Sequence, residues 1–258
     1  MIVTDQLQQN FDFDSPPKRI VSIVPSQTEL LWDLGIRDEL VGITKFCIHP
    51  KIMHQTITHI GGTKNLNIEK IKSLKPDLII GNKEENEQSQ IEELQKHFPV
   101  WMSDIFTLDD SLQMIQSLGT LLHRETKALE ITTQIATSFK VLPQLNKRAL
   151  YFIWNKPYML AGRNTFIGDV LQRLGLENAI IETDSRYPAI TIEEIKKLNP
   201  AVILLSSEPF PFNQTHINNL KKHLPNSTIL IVDGEAFSWY GSRLIHSITE
   251  FERLLQMV

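Results

Sequence analysis

One pattern of apolar and polar positions occurs twice along the chain. The stretch "IEKIKSLKPDLII" at 68–80 returns as "IEEIKKLNPAVIL" at 192–204, and seven of the thirteen positions are identical. In each copy three apolar residues stand at helical spacing, and then a proline and a short apolar run follow. An apolar run without polar alternation is typical of a strand in a parallel sheet that is covered on both faces. Each copy therefore predicts a helix that leads into a buried strand.

Two further blocks repeat in the same order around this pattern. Upstream, "LLWDLGI" at 30–36 resembles "VLQRLGL" at 170–176, and downstream "IEELQKHFP" at 91–99 matches "INNLKKHLP" at 217–225. Three blocks in one order indicate a duplication. Each half has the order strand, helix, helix, strand, helix, strand. We therefore predict an α/β fold with two similar lobes and mainly parallel sheets.

A stretch without glycine or proline, residues 125–142, separates the two halves. Its apolar residues form one helical stripe at spacings of three and four: Ala128, Ile131, Ile135, Phe139 and Leu142. A helix of this length would span about 27 Å and would join the lobes stiffly. We predict an N-terminal lobe at 1–124, a linking backbone helix at 125–146 and a C-terminal lobe at 147–258. The cleft between the lobes is the expected place for a ligand.

Composition and charge limit the partners and the kinds of protein that the sequence allows. The net charge is -4 and the sequence has no basic run, so we expect no nucleic-acid partner. The single cysteine, Cys47, excludes an internal disulfide. The sequence begins without the basic and apolar regions of a secretion signal, so either the protein stays inside the cell or a signal was removed. No apolar run approaches the roughly 20 residues that span a bilayer.

The sequence lacks the usual catalytic and nucleotide-binding motifs. There is no G-x-S-x-G elbow, no G-x-G-x-x-G loop and no H-E-x-x-H helix. We therefore expect no enzyme, no catalytic residue and no intrinsic cofactor.

Two loops of the first half follow predicted strands, where parallel α/β folds bind ligands. In "PSQTELL", Ser26 or Thr28 could cap a helix, with Glu29 completing a capping box from Ser26. That helix start either faces a polar ligand group or is a plain cap. In "KFCIHP", Cys47 and His49 could meet a metal together, but a structural zinc site needs more ligands. We assign no metal site, and His49 stays a possible ligand.

Aromatic residues and arginines gather in three loops of the second half. The loops are "WNKPYMLAGRNTF", "DSRYPAIT" and "DGEAFSWYGSR". Aromatic rings with a polar handle are typical of ligand pockets. These loops supply the candidates Trp154, Tyr158, Arg163, Arg186, Tyr187, Phe237, Trp239, Tyr240 and Arg243.

Each half also has an acidic loop after the strand of the repeated block. "NKEENEQ" at 82–88 contains three glutamates, and "SSEPFPF" at 206–212 contains Glu208. Such loops are either solvated charge or a matched pair that docks on a two-fold basic partner.

From about Arg19 onward the chain resembles the substrate-binding proteins of ABC importers for cobalamin and ferric siderophores, the two-lobed type with one backbone helix. The resemblance is carried by "RIVSIVPSQTELLWDLG", "LVGITKFCIHP", "GGTKNLNIEKIKSLKPDLII", "AGRNTFIGDVLQRLG" and "DGEAFSWYGSR". "GITKFCIHP" and "FSWYGSR" are closer to the cobalamin-binding branch. The resemblance implies that Phe46 to His49 lie against a corrin ring near Thr63. It also implies that Trp239, Tyr240 and Arg243 line the pocket from the second lobe.

Further expectations follow from this resemblance. With the loop candidates above and with Ser26 and Gln27, the residues just named form the expected ligand set. The implied ligand is cobalamin or a related corrinoid, and the alternative is a ferric siderophore or haem. The implied partner is a two-fold membrane permease, docked through Glu208 and through a first-lobe glutamate among Glu84, Glu85 and Glu87. We expect a monomer in the periplasm or cell envelope. A cytoplasmic ligand-binding protein or enzyme on the same fold stays an alternative, because the sequence shows no signal.

Overall fold

The computed structural model describes residues 2–180 and 185–258. The chain divides into two compact units. Unit 1 comprises Met1–Ile105, Asp109–Ile135 and Trp239–Arg243, and unit 2 comprises Phe106–Leu108, Ala136–Ser238 and Leu244–Val258. Each unit is thus made of more than one segment of the chain.

Unit 1 is built on short strands that alternate with helices. Its strands are β1 (Ile2–Thr4), β2 (Asn10–Asp12), β3 (Ile20–Ser22), β4 (Leu40–Ile43), β5 (Thr58–His59), β6 (Gly61–Gly62), β7 (Asn65–Leu66), β8 (Leu78–Asn82) and β9 (Val100–Ser103). The helices along this part of the chain are α1 (Pro25–Asp33), α2 (Lys51–Thr56), α3 (Ile68–Leu74), α4 (Gln88–Gln95), α5 (Leu108–Leu121) and α6 (Glu125–Lys140). The main sheet has the order β5-β4-β3-β8-β9, and every pair in it is parallel. The loops after β3, β4 and β8 therefore leave from the same edge.

Unit 2 contains a second, mainly parallel sheet. Its strands are β10 (Lys147–Trp154), β11 (Tyr158–Leu160), β12 (Leu176–Asn178), β13 (Ala189–Ile190), β14 (Val202–Ser206) and β15 (Thr228–Val232). Its helices are α7 (Phe166–Arg173), α8 (Ile192–Leu198), α9 (Gln214–Lys221), α10 (Gly234–Ser238) and α11 (Leu244–Met257). The order is β13-β11-β10-β14-β15, with β12 also paired to β10. Only β11 makes antiparallel pairs in this sheet among the described residues. The predicted α/β class with parallel sheets is confirmed.

The repeated block forms the same scaffold in both units. In unit 1 it gives α3 and β8, and in unit 2 it gives α8 and β14. Ile71 and Ile195, which occupy matching positions, are both wholly buried in the core of their unit. The side chains of Asn67 and Thr191 cap the two helices by accepting the backbone N–H of the third helical residue. The repeat is therefore framework, and it positions the loops that follow each strand.

The predicted backbone helix is present as α6, and it ends at Lys140, two residues earlier than its apolar stripe suggested. All five stripe residues are buried. The division between the two units falls inside this helix, after Ile135. Among the described residues, no helix combines the length and the apolar character that a bilayer crossing requires.

The ends of α3 and α8 give a test of the duplicated scaffold. Lys75 and Asn199 end the two helices in the left-handed conformation, with φ of 48° and 46°. This conformation is unfavourable for residues with a Cβ, and its free-energy cost is smaller for asparagine than for lysine. We expect Lys75→Gly to raise the free energy of unfolding by about 1 kcal/mol and Asn199→Gly to raise it less.

Thermal or urea unfolding measures this effect. As the matched control, Lys70→Gly lies inside α3 and should lower the free energy of unfolding by about 1 kcal/mol. A loss of stability in Lys75→Gly as large as that in Lys70→Gly would contradict the account of the helix ends.

Candidate functional site

The loop after β4 presents an exposed aromatic ring on unit 1. The Phe46 side chain is 50% exposed. It lies over Gly62, where an added Cβ would stand 3.0 Å from the ring. The Lys45 ammonium lies 5.0 Å from the centre of the same ring. Thr63, next to Gly62, is half-buried, and its carbonyl accepts a hydrogen bond from the Asn86 amide. Glycine at position 62 thus allows the β6-β7 turn to lie under Phe46.

A second aromatic contact joins this loop to the C-terminal part of the chain. The rings of His49 and Trp239 meet edge to face, with centroids 5.7 Å apart. Both side chains are half-buried. The Arg243 guanidinium lies 5.3 Å from the Trp239 ring centre, within range of a cation–π interaction. Three partly exposed rings of unit 1 therefore come from two distant segments, and we call Phe46, His49 and Trp239 the aromatic platform.

Arg243 itself is held by an ion pair. Its Nε and Nη2 donate to the two carboxylate oxygens of Glu29 over 2.9 and 2.8 Å. The two side chains are only 16% and 9% exposed. Burial raises the pKa of Glu29, and the nearby Arg243 opposes that rise. Two donors of the predicted ligand residue Arg243 are therefore taken by a protein carboxylate.

The start of α1 differs from its prediction. The helix begins at Pro25 after Val24, and no side chain caps it. Ser26 and Thr28 lie inside the helix, and Thr28 Oγ1 bonds to the carbonyl of Val24. Glu29 completes no capping box because Ser26 is not the N-cap residue, and its carboxylate binds Arg243 instead. The rigid φ of proline suits the first helical position, so the helix starts before the residues that were expected to cap it.

Several predicted ligand residues form a buried polar floor in unit 1. Gln27 is wholly buried, and its amide donates to Gly81 O and Ser103 Oγ. Tyr240 is buried with its hydroxyl beside those of Ser26 and Ser103, and burial raises its pKa well above the usual value. Ser26, Gln27 and Tyr240, which were predicted as ligand contacts, are therefore buried in this structure.

Cys47, another predicted ligand residue, is enclosed in unit 1. Its thiol is buried, and Sγ lies 3.2 Å from Oγ1 of both Thr28 and Thr44. Burial raises the thiol pKa, which keeps the group protonated and disfavours metal binding. Among the described residues, no three His, Cys, Asp or Glu side chains are grouped around a possible metal ion. The cysteine belongs to the interior of unit 1, and His49 alone of this pair reaches the surface.

In unit 2, two of the predicted aromatics form a cluster. Trp154, 41% exposed, meets Phe210 edge to face at 5.5 Å. Tyr158 packs in the same way against the buried Phe152, also at 5.5 Å. Sequence reasoning noted the loop that contains Phe210 only for its charge. The alternation of proline and phenylalanine in "PFPF" is the signal that could have identified it.

Arg186 and Tyr187 lie in a second group of unit 2. The Arg186 guanidinium stands 4.3 Å from the Phe106 ring centre and 6.0 Å from the Tyr187 ring centre. Its Nε donates to the carbonyl of Asn164, and its own carbonyl accepts from Gly162 N–H. Phe106 was not predicted, because it precedes a helix far away in sequence.

Arg163 and Phe237 are not part of either group. Arg163 donates to the carbonyl of Asn178 over 2.9 and 3.2 Å and so turns toward β12. Phe237 is wholly buried between the rings of Tyr151 and Phe251. Of these two predicted ligand residues, Phe237 lies in the core of unit 2, and Arg163 joins the loop before α7 to strand β12.

The acidic loops lie after β8 and β14, as the repeat predicts. The backbone N–H groups of Glu84 and Glu85 both donate to Asn82 Oδ1, which fixes the loop. The charge of Glu85 contributes to the raised pKa of Tyr240, so Glu85 lies on the same side of unit 1 as that ring. Glu87 is exposed and Glu208 is half-buried.

A second acidic pair lies in the repeat itself. Glu69 and Glu193 occupy the same position in the first turns of α3 and α8, and both are exposed. Sequence reasoning considered the loops after the strands and missed this pair. The identity "IE" at the start of both copies is the signal that could have found it.

Comparison with known proteins adds three similarities. An uncharacterized ABC transporter substrate-binding lipoprotein of Bacillus subtilis is 26% identical over 96% of this chain and 83% of its own. The crystal structure of the periplasmic vitamin B12 binding protein of Vibrio cholerae has a TM-score of 0.78 and 22% identity, over 94% of this chain and 98% of that chain. A periplasmic heme-binding protein of Roseiflexus sp. RS-1 has a TM-score of 0.76 and 20% identity, over 94% of this chain and 100% of that chain.

The two structural similarities establish the fold, and the family follows from a broader match. The family model described as periplasmic binding protein matches residues 20–225, which include the repeated blocks of both units. The chain therefore belongs to the periplasmic binding protein family.

Proposed function

We propose that the protein is the substrate-binding component of an ABC importer and that it binds cobalamin or a related corrinoid. The observation that carries this proposal is the aromatic platform of unit 1. Flat rings on a rigid support suit a large flat ligand, since aromatic contact adds binding energy beyond buried area alone. The family, the lipoprotein relative and the vitamin B12-binding structure support the importer role and a location in the cell envelope.

The contacts of three arginines within the protein favour a corrinoid as the ligand over haem or a ferric siderophore. Haem has carboxylates, and many siderophores are anionic, so their recognition calls for cations that are free to meet them. Arg243 is bound to Glu29, and Arg163 is bound to a backbone carbonyl. The Arg186 guanidinium lies against Phe106. Glu84 and Glu85 add negative charge to unit 1. A corrin with neutral amide side chains fits these surroundings better.

A haem or siderophore complex is the second candidate, and His49 favours it. Its imidazole is half-buried on the platform, and imidazole is a common ligand of iron. The comparison with a heme-binding structure is consistent with this alternative. The two candidates differ in the ligand metal and in ligand charge, so one titration separates them.

Titration of the purified protein with cyanocobalamin, hemin and a ferric siderophore tests the ligand. We expect saturable binding of cyanocobalamin, with a change in the corrin absorption, and weaker binding of the other two. The ligand would be haem and not a corrinoid if hemin binds tightly, if this binding is lost in His49→Ala, and if cobalamin does not bind at millimolar concentration.

In the same titration, Trp239→Ala should weaken cobalamin binding by about 1 to 3 kcal/mol, because an aromatic anchor is lost. Trp32→Ala is the matched control. Trp32 is also half-buried in unit 1 and also lies beside an arginine, with Arg37 at 4.9 Å, but it is outside the platform. Equal affinities of both variants would show that the ligand does not contact Trp239.

For the importer, we propose docking through acidic residues of both units. Glu208 is the candidate in unit 2, and Glu85 or Glu87 in unit 1. Glu69 and Glu193, which are both exposed, serve as the comparison pair. Their matched positions suit a partner with two-fold symmetry.

Transport assays with the permease reconstituted in vesicles test this surface. We expect Glu208→Ala to keep its ligand affinity and to reduce transport, because a charge that meets the permease is lost. The double variant Glu69→Ala/Glu193→Ala is measured beside it. If Glu208→Ala transports normally and the double variant transports less, the permease docks on the repeated helices α3 and α8 and not on Glu208.

A further inference from the structure

The segment Trp239–Arg243 belongs to unit 1, although the chain on both sides of it belongs to unit 2. It follows α10 directly and precedes α11 directly. These five residues therefore pack with unit 1, whereas their neighbours in the sequence belong to unit 2. Such a short excursion needs strong local contacts, because it must order its backbone without regular secondary structure of its own.

Three contacts along the segment supply this attachment. Gly241 adopts φ of 102°, which favours glycine, and its N–H donates to Ser111 Oγ over 3.1 Å. The Tyr240 hydroxyl lies in the buried floor beside Ser26 and Ser103. Arg243 makes the paired bonds to Glu29.

The ion pair is the strongest of the three contacts. A bidentate arginine–carboxylate pair is short, geometrically specific and charge-assisted. Both partners are largely buried, so the loss of one would leave the other as an unpaired charge with little access to water. The other two contacts involve only neutral groups, the Gly241 N–H and the Tyr240 hydroxyl.

Trp239 depends on this pair through direct contact. The guanidinium that binds Glu29 also lies by the Trp239 ring, and that ring meets His49 edge to face. A displaced Arg243 would remove the cation next to the indole and would release the end of the segment. The indole could then adopt other rotamers on the half-buried surface.

We propose that the ion pair between Glu29 and Arg243 is a positioning device that fixes Trp239 against His49 on the aromatic platform. Glu29 acts through Arg243 and does not itself meet the ligand. This inference rests on the proposed function for its effect on affinity, and on geometry alone for its effect on Trp239. A preorganised ring loses less conformational entropy on binding, which is the source of the expected gain in affinity.

The first test needs no ligand. The protein is labelled with 5-fluorotryptophan, and the Trp239 resonance is assigned by its absence in Trp239→Phe. We expect Glu29→Gln to shift or broaden the Trp239 ¹⁹F resonance while the other tryptophan resonances keep their positions. The matched control is Glu130→Gln, which breaks the exposed Lys127–Glu130 pair of 2.9 Å and should leave Trp239 unchanged.

If Glu29→Gln unfolds the protein, the same measurement is made on Arg243→Lys, which disturbs the ion pair less. Arg243→Lys retains the charge but loses the planar fork that makes two parallel bonds. We expect it to perturb the Trp239 resonance with a smaller fall in melting temperature. An unchanged Trp239 resonance in a folded Glu29→Gln or Arg243→Lys variant would overturn the proposal.

The second test is a double-mutant cycle on cyanocobalamin affinity. We expect Glu29→Gln to weaken binding about tenfold in the wild-type background and to have no further effect in Trp239→Ala. Equal losses in both backgrounds would mean that Glu29 acts by another route. If the wild-type protein binds no corrinoid, the proposed function fails, and the fluorine resonance still decides whether the pair positions Trp239.

Discussion

The buried ion pair of Glu29 and Arg243 is the interaction on which the platform of unit 1 depends. It joins two residues that are 214 positions apart in the sequence. Burial of two charges is costly, and only a well-aligned pair with both carboxylate oxygens bonded can offset that cost. In this protein the pair joins helix α1 to a segment that would otherwise follow its neighbours into unit 2. The resulting surface combines rings from the loop after β4 with a ring from the end of the chain.

The scaffold around this pair could be predicted from the sequence in most of its parts. The repeated block has a helical stripe, a proline and an apolar run, and these are local signals that the folded chain obeys at α3, β8, α8 and β14. The backbone helix was predictable for the same reason. Parallel pairing then brings the loops after each strand to one edge, and the loop of Phe46 and His49 follows strand β4 as predicted.

The roles of single side chains in the site could not be predicted in this way. The aromatic loops suggested Phe237 and the family resemblance suggested Cys47, and these two side chains are buried, as is that of Gln27. Gln27 and Phe237 contact partners that lie far away in sequence, whereas Cys47 contacts Thr28 and also the nearby Thr44. The bond of Arg243 to Glu29 could not be predicted, because nothing near Arg243 in the chain reveals Glu29. The start of α1 shows the same limit on a smaller scale, since Pro25 and Arg243 together decide what Ser26 and Glu29 do.

Unit 1 combines the partly exposed aromatic rings of the platform with the buried polar side chains of the floor. The floor is built of neutral groups, and the Arg243 guanidinium beside Trp239 is paired with Glu29. The most direct measurement is therefore a crystal structure of the complex with cyanocobalamin. The account predicts the corrin in van der Waals contact with Trp239, while Arg243 keeps both of its bonds to Glu29. A structure in which Arg243 leaves Glu29 to bind the ligand, with Trp239 away from the corrin, would contradict it.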